Sequence, residues 1–202
     1  MIKPRLKVFV DFDGTITLED VGEAIFRKFG DDEKVNQIIE DLLRDKISSR
    51  QCWDELCDSV NVVSKNELDK FIDLIDVDPT FLPFVKFCSD NELELVVLSD
   101  GFDYYIDRLF NKAGLTGIKY YSNKLFVNEK GILKAEYPYF DNDSPTSANC
   151  KRNHIINHSS DDDYTIYIGD GNSDKDAAQY CDFIFGKDAL ARFCSMERIS
   201  FY

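Results

Sequence analysis

Near its start the chain places an apolar run, Leu6 to Val10, directly ahead of two carboxylates: Val8-Phe-Val-Asp11-Phe-Asp13-Gly14-Thr15. Such a run reads as a buried strand. Side chains alternate along a strand, so Asp11 and Asp13 aim at one small space where the strand gives way to a loop, and Phe12 turns into the core. From Thr17 to about Asp76 the apolar period becomes helical. Val21, Ala24, Ile25 and Phe29 share one face, with Gly30 to end it. Val35, Ile38, Ile39, Leu42 and Leu43 repeat the pattern. Ser48 with Gln51 and Ser64 with Glu67 read as capping boxes opening two more helices. Four short helices therefore stand between the first strand and the next, a helical insertion covering the strand end.

Beyond them, Asp78-Pro79 reads as an N-cap and a first helical residue. Leu93 to Leu98 is a second core strand, ending in Ser99-Asp100-Gly101-Phe102. A helix follows, with Tyr105, Ile106, Leu109, Phe110 and Ala113 on one face and Gly114 after it. Ile118 to Ser122 reads as a third strand, and Lys124 to Val127 with Ile132 to Ala135 as a hairpin. Ser147 or Asn149 is the expected cap of a helix that holds Lys151 in its first turn. The macrodipole disfavours a cation there, so Lys151 is best explained by a nearby anion. Tyr164 to Ile168 is another strand, ending in Gly169-Asp170-Gly171-Asn172-Ser173-Asp174, with Ser173 able to cap a helix through Tyr180. Asp182 to Phe185 is a last short strand, and the tail from Ala189 reads as a short helix. Alternating strands and helices predict an α/β fold with a parallel sheet.

Composition narrows the function. The chain has 202 residues with 24 Lys plus Arg against 38 Asp plus Glu, a net charge of −14. Such a surface repels nucleic acid and anionic membranes. A small anionic substrate then needs a local cation, from a metal or a lysine. The six cysteines are scattered through apolar segments without a Cys-x-x-Cys, the usage of a reduced, cytoplasmic protein. The start is too short and too charged ahead of Asp11 for a signal peptide. No apolar run approaches the ~20 residues that span a bilayer. His154 and His158 stand i, i+4 without a suitable third ligand, and read as ordinary helix-face histidines.

In parallel α/β sheets ligands bind at the carboxyl ends of strands. Here three strands end in Asp-x-Asp-Gly-Thr, in Ser, and in Gly-Asp-Gly-x-Ser-Asp. Hard oxygen ligands suit Mg²⁺, which keeps several waters and favours substrate phosphate. The chemistry that fits is phosphoryl transfer: Asp11 attacks phosphorus, Asp13 protonates the leaving alcohol, and Lys151 with Mg²⁺ neutralises the equatorial oxygens. The N–H groups of Gly14 and Thr15 are expected to point at an anion, and Ser99 to bond a phosphate oxygen.

Asp11-Phe-Asp13-Gly-Thr15-Ile-Thr17, Ser99, Lys151 and Gly169-Asp170-Gly-Asn-Ser-Asp174 resemble the four ordered motifs of the haloacid dehalogenase (HAD) superfamily. The resemblance implies a Rossmann-like core over residues 1–16 and 77–202, with a helical cap over 17–76. It also implies metal contacts from Asp11, the Asp13 carbonyl and Asp170, with Asp174 supporting them. Gly14, Thr15, Asp20, Ser99, Asp100, Gly101 and Lys151 form the expected substrate-binding set. The acid at Asp13 favours a phosphatase over a dehalogenase. The stretches 75–81 and 97–106 are similar to the phosphoserine-phosphatase-like branch, above all to 2-hydroxy-3-keto-5-methylthiopentenyl-1-phosphate phosphatases and phosphocholine or phosphoethanolamine phosphatases. The partner expected is a small phosphorylated metabolite, with the chain a monomer or homodimer. A phosphotransferase or mutase with the same intermediate, and a regulator that binds phosphate or metal without catalysis, are the alternatives. Substrate choice is expected in Asp20, Phe102 and Trp53.

Overall fold

The computed structural model describes residues 5–202; of the core segment expected at 1–16, residues 1–4 lie outside the described residues. The strands are β1 (Leu6–Val10), β2 (Glu94–Phe102), β3 (Lys119–Val127), β4 (Leu133–Glu136), β5 (Tyr164–Gly169) and β6 (Phe183–Gly186). They form one sheet in the order β4-β3-β2-β1-β5-β6. All pairs are parallel except β3 with β4. β1 is central: Val8 pairs with Leu95 on one side and with Ile166 on the other. The α/β parallel sheet expected from the alternation is the one observed.

Alternation along β1 divides the core into two layers. Val8, Val10 and Phe12 join one apolar cluster with Phe81, Ile106 and Phe110. Phe9 points the other way, to Ile155, Tyr167, Ala177 and Leu190. Each of these fully buried large side chains contributes ~2–3 kcal/mol relative to exposure. The flanking helices are α5 (Phe81–Asp90), α6 (Asp103–Lys112), α7 (Lys151–His158), α8 (Lys175–Ala178) and α9 (Asp188–Glu197). Among the described residues no helix is long and apolar enough to cross a membrane. All six cysteines are free.

Four helices intervene between β1 and α5: α1 (Val21–Phe29), α2 (Asp32–Leu43), α3 (Ser49–Ser59) and α4 (Lys65–Ile72). The Ser48/Gln51 box closes in both directions. Ser64 caps Glu67 N, but the Glu67 carboxylate takes the Ser64 hydroxyl at 2.7 Å rather than its main-chain N–H. Chain entry and exit are pinned together: Thr17 bridges Val77, and Asp78 N donates to Ile16 O at 2.8 Å. Val21, Ile25, Phe26, Leu56 and Leu68 share an apolar cluster with Phe12, Phe102 and Tyr105.

Several boundaries differ from expectation. β2 continues through Ser99-Asp100-Gly101-Phe102, with a register irregularity against β3. The expected third strand and the first arm of the hairpin are one strand, β3, because Asn123 between them pairs with Phe102 and donates its amide to Asp100 O at 2.6 Å instead of forming a turn. α5 begins at Phe81, not Pro79. The Asp78 carboxylate takes Thr80 N at 2.8 Å and forms a turn ahead of the helix. Neither Ser147 nor Asn149 caps α7; the N-cap is Cys150, without a side-chain bond. Ser173 does not cap a helix through Tyr180: a short 3₁₀ turn, Asn172–Asp174, leads into α8, which ends at Ala178.

Candidate active site

The carboxyl ends of β1, β2 and β5 meet beneath α1–α3 around a cavity of about 500 Å³. Asp11, Asp13, Gly14, Asp100, Gly101 and Asp170 line its floor, and Leu18, Asp20, Ile39, Trp53 and Leu56 its roof.

Asp11 is 4% exposed and pairs with Lys151 Nζ. Lys151, the first residue of α7, also reaches Asp174 at 2.7 Å and Ser173 Oγ at 3.1 Å. The anion that its position called for is therefore a pair of carboxylates. Asp174 is fully buried and saturated: Oδ1 accepts from Lys151 and from Tyr167 OH at 2.6 Å, and Oδ2 from Asp170 N and Gly171 N. Burial first, then the charge of Asp174, pushes Asp11 upward from its ordinary pKa. The same surplus of carboxylate raises Lys151 against its own burial and keeps it charged.

Asp170 adds a third acid. Thr15 Oγ1 donates to its Oδ1 at 2.8 Å. Gly14 lies close by with φ +75°, and a Cβ there would stand 2.6 Å from Asp170 Oδ2. Carboxylate oxygens of Asp11, Asp170 and Asp174 all lie within 4.8 Å of one another. Asp11 Oδ2 and Asp170 Oδ2 have no hydrogen-bond donor among the described residues. Three hard acids against one ammonium, two of them with a free oxygen at the cavity, suit a divalent cation bound by oxygen. Asp174, with both oxygens occupied, holds Lys151 and the loop in place.

Asp13 has different company. Its Oδ1 accepts from Val21 N at 3.0 Å, and its Oδ2 from Ser99 Oγ at 3.1 Å and Tyr105 OH at 2.8 Å. Burial raises its pKa, and these donors moderate the rise. A carboxyl whose pKa is raised by burial suits proton transfer.

Other expected residues take unexpected parts. Gly14 N donates to Glu19 O and Thr17 Oγ1, and Thr15 N to Phe12 O, so these N–H groups close the loop rather than face an anion. Ser99 is fully buried; its hydroxyl donates to Asp13 and accepts from Gly101 N at 2.9 Å, so it does not reach the cavity. Asp100 accepts from Ser49 Oγ, at the start of α3, and from Asn149 N at 2.6 Å, joining the helical roof to the loop ahead of α7. Asp20 caps α1 through Glu23 N at 2.7 Å and borders the cavity. The surrounding protein, followed by the charge of Asp13, raises it to about 8, although the residue is exposed to solvent. Trp53 lines the cavity, whereas Phe102 is fully buried and packs edge-on against it at 4.9 Å.

Sequence reasoning missed Tyr105 and Tyr167, which read as apolar-face residues, and Asn149, whose amide bonds Ser99 O and Tyr121 O. It also missed Lys187 and Arg192, which reach the cavity edge from the C-terminal segment. His154 Nε2 meets Asn149 Oδ1 at 2.8 Å, its ring stacks on Tyr121 at 4.2 Å, and burial lowers its pKa to about 4. His158 bonds the same tyrosine at 2.7 Å.

Comparison with known proteins agrees with this geometry. Residues 6–190 match the family model described as "Putative Phosphatase". The chain belongs to this phosphatase family. It is 30% identical to Pdp3-interacting factor 1 of Schizosaccharomyces pombe, over 98% of this chain and 90% of that one. It is 27% identical to a 2-hydroxy-3-keto-5-methylthiopentenyl-1-phosphate phosphatase of Bacillus mycoides, over 97% and 90% of the two chains. A solved phosphoserine phosphatase, captured as a phospho-aspartyl intermediate analogue, superposes with a TM-score of 0.72 at 20% identity, over 98% of this chain and 92% of that one. That likeness is one of fold.

Proposed function

We propose that this chain is a Mg²⁺-dependent phosphomonoesterase acting on a small phosphorylated metabolite, with Asp11 as nucleophile and Asp13 as general acid and base. The observation that carries the reading is the contrast between the two acids on one loop. Asp11 is held against a buried ammonium, while Asp13 receives only neutral donors at the edge of the same cavity. An ionised nucleophile and a protonatable partner are what the two half-reactions need.

In the first half, an Asp11 oxygen bonds phosphorus as the phosphorus–oxygen bond to the alcohol breaks. The leaving oxygen keeps that electron pair and takes the Asp13 proton. In the second, water attacks the aspartyl phosphate and gives a proton to Asp13. The bond from phosphorus to Asp11 breaks, phosphate leaves, and both carboxyls return to their starting states. Lys151 holds Asp11 in line and offsets negative charge. Asp11, Asp170 and the Asp13 carbonyl would hold Mg²⁺, which when bound supplies charge neutralisation on the transferring group. The helices over 17–76 serve as a cap that keeps bulk water from the reacting centre. The mixed lining, acids on the floor and Ile39, Trp53 and Leu56 above, suits a phosphate ester with a short, partly apolar body. The relationship to the Bacillus phosphatase supports 2-hydroxy-3-keto-5-methylthiopentenyl-1-phosphate as the first metabolite to try, with phosphoserine next.

The test is turnover of p-nitrophenyl phosphate with Mg²⁺, with EDTA, and with Asp11→Asn. Activity that disappears in both controls, together with transfer of the phosphoryl group to water and to no other acceptor, supports the reading. Full activity in Asp11→Asn would remove Asp11 as nucleophile.

A further inference from the structure

Tyr105 lies in the first turn of α6, is fully buried, and aims its hydroxyl at Asp13 Oδ2 across 2.8 Å. Packing alone does not call for that hydroxyl. The ring sits 5.9 Å from Phe12 and 6.3 Å edge-on from Phe102, contacts that a phenylalanine would make equally well. Asp13 is the only acceptor for the hydroxyl's proton among the described residues. The approach also depends on a glycine: a Cβ on Gly101 would stand 1.6 Å from Tyr105 OH and 2.6 Å from Asp13 Oδ2. Ser99 completes the arrangement. Its hydroxyl accepts from Gly101 N, which leaves its proton for the same Asp13 oxygen. Val21 N, at the start of α1, occupies the other oxygen. The acid is thus oriented from three elements, and the tyrosine is the one donor among them mounted on a rigid aromatic cluster.

We infer that Tyr105 is a positioning residue for Asp13, holding its carboxyl in the orientation from which it protonates the leaving oxygen. Tyr105 does not touch the substrate; it acts through Asp13. The inference rests on the assignment of Asp13 as general acid, and the experiment separates the two.

The probes are p-nitrophenyl phosphate and phenyl phosphate, esters of nearly one shape. Nitrophenolate leaves readily without a proton, whereas phenolate depends more on the acid. The readout is kcat/KM, which covers steps up to phosphoryl transfer to Asp11 and leaves out the later attack of water. Wild type, Asp13→Asn, Tyr105→Phe and the double variant are compared. Asp13→Asn is expected to lose ~10²-fold or more on phenyl phosphate and much less on the nitrophenyl ester. Tyr105→Phe, missing one hydrogen bond to the acid, is expected to lose roughly tenfold on phenyl phosphate and several-fold less on the nitrophenyl ester, in kcat more than in KM. In the Asp13→Asn background the same change is expected to cost nothing further. Equal losses on the two esters, or an added loss in the double variant, overturn the inference while a leaving-group-selective Asp13→Asn leaves the acid assignment standing. An Asp13→Asn enzyme without leaving-group selectivity overturns both. Thermal melting of Tyr105→Phe accompanies the kinetics, because a variant that only loosens the fold would carry its loss into the double variant too.

Discussion

The two flanks of β1 are built from different chemistry. On the β5 side, Asp11 meets Lys151, Asp174 and Asp170, four formal charges that are mostly buried. On the β2 side, Asp13 meets Ser99 and Tyr105 hydroxyls and a main-chain N–H, with Asn149 and His154 further out. Asp11 and Asp13 share one loop, so local sequence cannot account for the difference. At Asp11 the Lys151 ammonium opposes burial and the charge of Asp174 and favours the anion that attacks, whereas at Asp13 hydroxyl and main-chain donors orient a carboxyl whose pKa burial raises. Role follows from flank.

Asp11→Asn gives the largest test of the contrast. Removing the nucleophile should reduce turnover by at least ~10⁴-fold with no leaving-group dependence. Steady-state assays on the two aryl esters check this; a leaving-group-selective loss would erase the distinction between the flanks. Lys151→Met comes next. Lys151 is 1% exposed between Asp11 and Asp174, so the variant leaves two buried carboxylates without their cation. Breaking a buried pair from one side costs about 3–5 kcal/mol. Urea unfolding should report that loss, and added Mg²⁺ should restore part of it.

Gly14→Ala acts more gently on the charged flank. A non-glycine residue in the left-handed region costs about 1–2 kcal/mol, and the new Cβ presses on Asp170 Oδ2. Calorimetric titration should show Mg²⁺ affinity lowered by about tenfold, whereas unchanged affinity would separate Asp170 from metal binding.

The smallest effect belongs to the neutral flank. Burial lowers His154 to about 4, against ~6.5 in an unfolded chain. Between those values the unfolded state binds more protons than the folded one. The contribution of His154 is therefore complete above ~6.5 and is lost as pH falls toward 4. The loss should be on the order of 1 kcal/mol between about pH 7 and pH 5. Melting curves of wild type and His154→Gln across that range check it: the variant should show the shallower acid slope.

The charged flank is legible in the sequence, and the neutral flank is not. Asp11, Asp170 and Asp174 stand in or next to glycine-bearing loops at strand ends, and Lys151 stands at the wrong end of a helix for a cation; each is an anomaly visible in a short window. Tyr105 falls on the apolar face of α6, where periodicity reads it as core, and only its hydroxyl says otherwise. A strand-end serine such as Ser99 reads as a phosphate contact, but its hydroxyl goes to Asp13 instead. Loop chemistry marks Gly14 and Thr15 as anion donors, yet the loop folds back and occupies both N–H groups. Asn149 reads as a helix cap, but its amide is drawn to carbonyls of β2 and β3.

What the sequence by itself determined is the set of elements and the order in which acids appear at their ends. Apolar period and turn residues are local quantities, and they dictate strands, helices and the loops that must carry buried charge. Tertiary structure alone decided which donor each acid receives. That choice depends on β1 lying between β5 and β2, and on Gly101 leaving room for the hydroxyl of Tyr105. Hydrogen bonds reach only about 3 Å, so partners distant along the chain become partners only when packing brings their backbones together.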